Sequence, residues 1–478
     1  MNTLLKYSPS ALLLSLGLLG CQPDVPAPQT ERGQADFTRY IAVGNSLTAG
    51  FQDGGLYLEG QNYSYPNLLS QQFARVGGGA FVQPYFTDAQ PNGSGYLRLV
   101  GFTNPTPPDE PSPITANVTT GLALRAGATA ARPLYTKFTD PVNNLGVPGI
   151  RMADVETAGY GSTQGNPYFE RITPDATPTQ TYRQRVAASN PTFFTYWLGN
   201  NDVLGYATSG GLSPITATTT FTDLNSRLID DLTAGGAKGV VATIPDVTSI
   251  PFLTTVGPTF RRTLTRNNVP GIVITTGTFT LTGPIARRPI ATTDIKDPVL
   301  GGNQLFTLTA APYLPLFGRP GGKAWRDVFN QVRGNLPPGT PLSLFLTLQA
   351  IDTTQAFGVS TGNPIPTTLV LDDTEQTAAR NATTAFNNAL KTKASAKDLA
   401  VFDANAFFTQ VAESGYVTNG VNNTASFITG NLFSLDGVHP TPRGYAVVAN
   451  EMIKVINEKY GSSVPMLNPN AYRGVRIP

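Results

Sequence analysis

Tyr40-Ile41-Ala42-Val43-Gly44-Asn45-Ser46-Leu47-Thr48-Ala49-Gly50 is the stretch from which the fold is read. A short apolar run breaks at Gly44 and delivers Ser46 onto a turn. A serine at the C-terminal end of a parallel strand stands where α/β sheets present ligands, with its hydroxyl beside free backbone N–H groups. The tetrapeptide Gly44-Asn45-Ser46-Leu47 within it also suits a plain turn or a helix cap, since serine is a common cap. Taken alone, Ser46 leaves both readings open.

A second stretch bears on it: Ser434-Leu435-Asp436-Gly437-Val438-His439-Pro440-Thr441 contains the single histidine among 478 residues. A serine hydroxyl is a poor nucleophile near neutral pH and needs a base, and imidazole has a suitable unperturbed pKa. If this chain uses a serine–histidine pair, the base is His439. Asp436, three residues earlier, can fold back in the same loop, accept the other ring N–H and hold the tautomer. A lone histidine also reads as a buried, hydrogen-bonded ring without a role; it is the combination with Ser46 that favours chemistry.

Between these stretches, strands alternate with helices. Thr192–Leu198 is an aromatic and β-branched run ending in Gly199-Asn200-Asn201-Asp202, a strand with Asn201 at its tip, where a plain turn or cap is the alternative. Phe221, Leu224, Leu228 and Leu232 recur on one helical face before Gly235-Gly236, and Gly239–Ile244 reads as the next strand. Leu399–Phe402 offers another strand after a helix over Asp373–Leu390, whose Asp373 and Gln376 suit a capping box. Ser64 and Pro66 suit the start of a short helix. A last helix runs through Tyr445, Val448, Met452 and Ile456 to Gly461. This alternation predicts an α/β fold, with a parallel sheet covered on both faces. Two segments interrupt it, about 76–140 and about 245–368, read as insertions of strand and loop. The second carries Arg261, Arg262, Arg266, Arg287 and Arg288, which suit either an anionic group on a substrate or, more simply, solvated charge.

Composition narrows the class. Lys+Arg 33 against Asp+Glu 31 argues against a nucleic-acid partner. Gly 48 and Pro 40 mark a loop-rich chain. No phosphate loop, dinucleotide fingerprint or metal-ligand set is present, so no cofactor and no metal are expected. Met1–Gly20 has the shape of a signal peptide, with an apolar run from Ala11 to Leu19 too short to span a bilayer. Leu18-Leu19-Gly20-Cys21 resembles the lipobox of bacterial lipoproteins, which makes Cys21 the expected lipidation site. With no second cysteine, Cys21 has no disulfide partner in the chain. Residues 21–36 then read as lipidated Cys and tether, the extended part reaching roughly 45 Å, and residues 37–478 as the folded domain. The expected place is the bacterial cell envelope, at the outer membrane, with the membrane as partner through the lipid.

Gly44-Asn45-Ser46-Leu47, Asn144-Leu145-Gly146-Val147-Pro148-Gly149, Gly199-Asn200-Asn201-Asp202 and Asp436-Gly437-Val438-His439-Pro440-Thr441 together resemble the four ordered blocks of the SGNH hydrolases, the GDSL esterases and lipases. The resemblance implies a three-layer α/β/α fold with a flavodoxin-like parallel sheet. It also implies that Ser46, Asp436 and His439 form a triad, and that Ser46, Gly149 and Asn201 form the oxyanion hole. The implied reaction is hydrolysis of carboxylic esters through an acyl-enzyme, on a lipid, a small acyl ester or an acylated glycan. A carbohydrate O-deacetylase and a non-catalytic surface-binding lipoprotein are the alternatives. The family usually has Asp before the serine, where this chain has Asn45.

Overall fold

In the computed structural model, which describes residues 30–104, 111–280 and 282–478, five strands form one parallel sheet. They are β1 (Tyr40–Gly44), β2 (Asn144–Gly146), β3 (Phe193–Trp197), β4 (Lys238–Ala242) and β5 (Ala400–Phe402). Their spatial order is 2-1-3-4-5, and every pairing is parallel. That is the flavodoxin-like order, whose switch point, the natural ligand crevice, lies between β1 and β3. The helices that cover the sheet or edge its crevice include α1 (Ser46–Ala49), α2 (Tyr65–Ala74), α3 (Asn201–Thr208), α4 (Thr218–Thr233), α5 (Asp373–Ala396) and α6 (Pro442–Tyr460).

Strand side chains alternate between faces, and here both faces are apolar. Ile41, Val43, Phe194, Tyr196 and Val241 pack against α4 and α5, where Phe221 stacks on Phe386 at 4.0 Å. Tyr40, Ala42, Phe193, Trp197 and Val240 face the other way, against Phe73 of α2 and Tyr445, Met452 and Ile456 of α6. The fold is therefore a three-layer α/β/α sandwich, as the alternation of strands and helices predicts. Two-sided burial explains why these strands read as continuous apolar runs rather than as alternating ones.

Local differences from the sequence reading have identifiable causes. The capping box of α5 sits one residue earlier than expected: Asp372 Oδ1 accepts from Glu375 N at 2.8 Å, and Glu375 Oε2 accepts from Asp372 N at 2.9 Å. Asp373 instead pairs with Arg288, at 2.8 Å from Oδ2, and Gln376 donates to the Asn303 and Leu371 carbonyls. Ser64 precedes α2, but its hydroxyl donates to Gln61 O at 3.0 Å and caps nothing. Residues 31–36, assigned to the tether by composition, lie against the end of α6, where Gln34 N donates to Tyr460 O at 2.8 Å and Glu31 N to Ser463 Oγ at 2.7 Å. Cys21 and the proposed signal peptide lie outside the described residues.

The first insertion holds an antiparallel hairpin, Tyr96–Phe102 with Pro113–Val118. The second is more helical than expected. Besides one hairpin, Gly271–Thr276 with Ala286–Ala291, it carries helices over Val256–Arg266, Lys323–Val332 and Leu342–Leu348. Trp325, Val328, Phe329 and Val332 recur at helical spacing and share one small core; the surrounding Gly and Pro breaks hide that period. Of the insertion's arginines, Arg262 and Arg266 are exposed, as solvated charge would be, and Arg288 pairs with Asp373, whereas Arg261 and Arg287 are spent on backbone carbonyls. Buried Arg261 donates to the Ile295 and Gly301 carbonyls at 2.8 Å each, and Arg287 donates to the Thr361, Ile285 and Gln349 carbonyls. They stitch loops by satisfying backbone acceptors.

Burial pushes the Glu375 carboxyl up to about 7. A carboxyl raised in the folded state contributes stability that is fully present below its ordinary value and lost as pH rises through the raised one. Thermal melting should therefore fall by a few degrees between pH 5 and pH 8. Glu375→Gln, which keeps an oxygen for the Asp372 N–H, should flatten that slope and melt higher than wild type at pH 8; an unchanged slope would show that this carboxyl is not the titrating group.

Candidate active site

The site begins with the way β1 ends. A Cβ at Gly44 would lie 1.9 Å from Thr48 Oγ1 and 2.8 Å from Trp197 O, so only glycine lets α1 turn back this closely beside β3. Asn45, wholly buried, caps the turn by accepting from Leu47 N at 3.0 Å. Ser46 is thereby the first residue of α1, and its N–H belongs to the helix end that has no intrahelical partner.

Ser46 Oγ lies 2.8 Å from His439 Nε2, and His439 Nδ1 lies 2.9 Å from Asp436 Oδ2. The structure thus brings together, from positions 393 residues apart, the three groups singled out in the sequence. Asp436 folds back as expected, because Gly437 takes a φ of +70° and lets the loop reverse. Its carboxylate is well provided with donors: Oδ1 accepts from Val438 N, His439 N and Ser434 Oγ, and Oδ2 from Gly54 N and His439 Nδ1. Burial alone would raise this group. The adjacent His439 and the N–H bonds from His439 and Val438 outweigh it and hold Asp436 at about 2. The carboxylate therefore stays ionised, fit to accept the Nδ1 proton and leave Nε2 facing the serine.

The segment after α1 belongs to the site although no sequence motif marks it. Asp53 Oδ1 accepts from Leu435 N at 3.0 Å, Asp53 N donates to Ser434 Oγ at 2.9 Å, and Tyr57 donates to Asp53 Oδ2 at 2.8 Å. These bonds fasten the serine's own loop to the loop of the acid and base. Burial, then the nearby Asp436, push the Asp53 carboxyl upward. Asp53-Gly54 is a turn signal, but nothing in it names a partner 382 residues away.

On the other side, the turns after β2 and β3 are sewn to β1 and to each other. Val147 N donates to Gly44 O at 3.0 Å, Asn201 Nδ2 to Ile150 O at 2.9 Å, and Met152 N to Asp202 Oδ2 at 2.7 Å. Burial pushes the Asp202 carboxyl up to about 6. Gly149 has a φ of +82°, which favours glycine, and its N–H donates to no partner among the described residues. It is exposed, and its neighbour Ile150 ties it to the site by accepting from Asn201.

Ser46 and His439 open onto a cleft of about 670 Å³, its open mouth included. Leu47, Trp197, Leu204, Ile250, Phe408 and Phe433 supply much of its wall, Asn200 and Asn201 supply amides, and among the described residues no Asp, Glu, Lys or Arg lines it.

Residues 40–269 match the family model described as GDSL-like Lipase/Acylhydrolase. The matched stretch holds Ser46, Gly149 and Asn201 and stops inside the second insertion, before Asp436 and His439. No curated protein and no solved structure matches the chain.

The clasp from Asp53 is testable. Asp53→Ala frees the Leu435 N–H and loosens the loop that carries Asp436, and it is expected to lower kcat on a chromogenic ester about tenfold, the effect of roughly one charge-assisted hydrogen bond. Asp53→Asn, which keeps an acceptor for Leu435 N, should retain most of the activity. Equal activities for the two variants would remove Asp53 from the account.

Proposed function

We propose that this chain is an SGNH-type serine hydrolase that cleaves carboxylic esters through an acyl-enzyme on Ser46. The observation that carries the reading is the unbroken hydrogen-bonded chain Ser46 Oγ, His439 Nε2, His439 Nδ1, Asp436 Oδ2, with steps of 2.8 and 2.9 Å at the mouth of a cleft. The match of residues 40–269 to acylhydrolases supports it independently.

In this reading His439 Nε2 takes the Ser46 proton as Oγ attacks the ester carbonyl carbon. The carbonyl π pair moves to oxygen, and the resulting oxyanion is met by the Ser46 and Gly149 N–H groups and the second N–H of Asn201 Nδ2, whose first is spent on Ile150 O. Collapse expels the alcohol, which leaves with the proton from Nε2. Water, deprotonated by the same nitrogen, then releases the acid. Asp436 keeps its charge throughout and stabilises the imidazolium.

A wall that is largely apolar and, among the described residues, free of Asp, Glu, Lys and Arg favours an acyl chain over a polar glycan as the group that fills the cleft. It thereby favours the esterase or lipase reading over the carbohydrate deacetylase. We further propose that Cys21 is lipidated and holds the enzyme at the bacterial outer membrane, a reading carried by the sequence around that residue.

Two experiments test these readings. A fluorophosphonate probe should label wild-type protein at one serine, and Ser46→Ala should abolish labelling; His439→Ala should lower kcat on the order of 10⁴-fold while folding normally. Ester cleavage by His439→Ala within tenfold of wild type would leave the chain without a serine–histidine mechanism. Cys21→Ser should move the protein from the membrane fraction to the soluble fraction, and equal membrane recovery of both forms would sink the anchor.

A further inference from the structure

Asn200 lines the cleft next to Asn201 yet is neither a triad member nor one of the oxyanion donors Ser46, Gly149 and Asn201. It immediately precedes α3, but its side chain does not cap that helix. It turns instead toward Asn45, whose Nδ2 donates to Asn200 Oδ1 at 2.9 Å.

The chemistry of this pair fixes both amides. The Leu47 backbone N–H can only donate, so the Asn45 atom that faces it at 3.0 Å must be the oxygen. The other end of Asn45 is then the NH₂ group, which can only donate, so Asn200 must present its oxygen to it. The Asn200 NH₂ group is therefore the end left over. It makes no hydrogen bond among the described residues and is absent from the set of fully buried polar atoms without a partner, so it keeps contact with solvent space. Asn200 as a whole is 8% exposed, and it is a wall residue of the cleft into which Ser46 opens.

Resting on the ester-hydrolase reading of this site, we propose that Asn200 Nδ2 is a further donor to the carbonyl oxygen of the bound ester, and that Asn45 is the positioning residue that turns it outward. The residue before the serine then selects which end of the Asn200 amide meets substrate. An aspartate at that position accepts from Leu47 N equally well but cannot donate, so it calls for the opposite orientation of Asn200, with the NH₂ group inward and the oxygen toward the cleft. The two asparagines work as a matched pair.

A double-mutant cycle on the full-length protein tests this, with kcat and KM measured on a p-nitrophenyl acyl ester per active site titrated by fluorophosphonate. Asn200→Ala removes the donor, and Asn45→Asp inverts it; each is expected to lower kcat about tenfold, the effect of one hydrogen bond that strengthens in the transition state, with KM within about twofold of wild type. The double variant should be no slower than Asn200→Ala, because Asn45→Asp keeps the bond from Leu47 N and so acts through Asn200. Wild-type kcat in Asn200→Ala overturns the proposal, as do losses that multiply in the double variant or a loss confined to KM. If Asn45→Asp fails to fold, Asn200→Asp, which keeps the bond from Asn45 and turns an acceptor toward the cleft, replaces it with the same expected loss, and wild-type kcat there overturns the proposal. Ser46→Ala, run beside them, separates the two levels. Hydrolysis that persists without Ser46 ends the reading of the site itself, whereas hydrolysis that needs Ser46 and is indifferent to Asn200 ends only this inference.

Discussion

An ionised carboxylate held out of water needs hydrogen-bond donors on both oxygens, and the arrangement of the site depends on how Asp436 is given them. Two come from its own loop, the N–H groups of Val438 and His439, and those bonds are what bring the carboxylate back under the imidazole. Another comes from Gly54, on the segment that succeeds the nucleophile. The full set of donors is therefore assembled only where the first and last parts of the chain meet. The protonated form would give up the charge-assisted character of these bonds.

The sequence revealed the parts of this site that carry chemistry and concealed the parts that only hold it. Ser46, Asp436 and His439 are legible because their residue types are scarce or peculiarly placed, the histidine being unique in the chain. Asn201 is legible because a buried aromatic strand runs straight into it. Asp53, Ser434 and Tyr57 are not. They are ordinary turn and surface residue types whose meaning lies wholly in partners brought near by the fold, as when Asp53 receives Leu435 N. Gly149 falls between: its φ of +82° gives a physical reason for glycine, while its exposure could not be inferred from spacing.

The fold shows the same division. Two-sided burial of β1, β3 and β4 makes their apolar runs unmistakable, and with them the parallel sheet. The second insertion misleads because its helices are short and bounded by Gly and Pro, so a period of 3.6 never runs long enough to outweigh Thr-rich stretches that suit strands. Its arginines mislead for a related reason. A guanidinium on a loop-rich segment looks like surface charge, but loops leave many carbonyls without partners, and Arg261 and Arg287 are spent on those.

The second insertion leaves the sheet on its C-terminal side, where β1 and β3 also release Ser46 and Asn201, and continues directly from β4. Its opening residues Val247, Ser249 and Ile250 form part of the cleft wall, and Phe252 N donates to Gly437 O at 2.9 Å inside the loop of the acid and base. The cleft wall and the loop of Asp436 and His439 are in this way joined by a backbone hydrogen bond as well as by packing. An insertion rooted so close to His439 is well placed to shape what enters the cleft, while the parallel strands behind it, buried on both faces, keep Ser46 and Asn201 fixed relative to each other. On the proposed reading, selectivity and reactivity are consequently carried by different parts of one hydrogen-bonded frame, the insertion's opening residues and the 2.8 Å contact between Ser46 and His439.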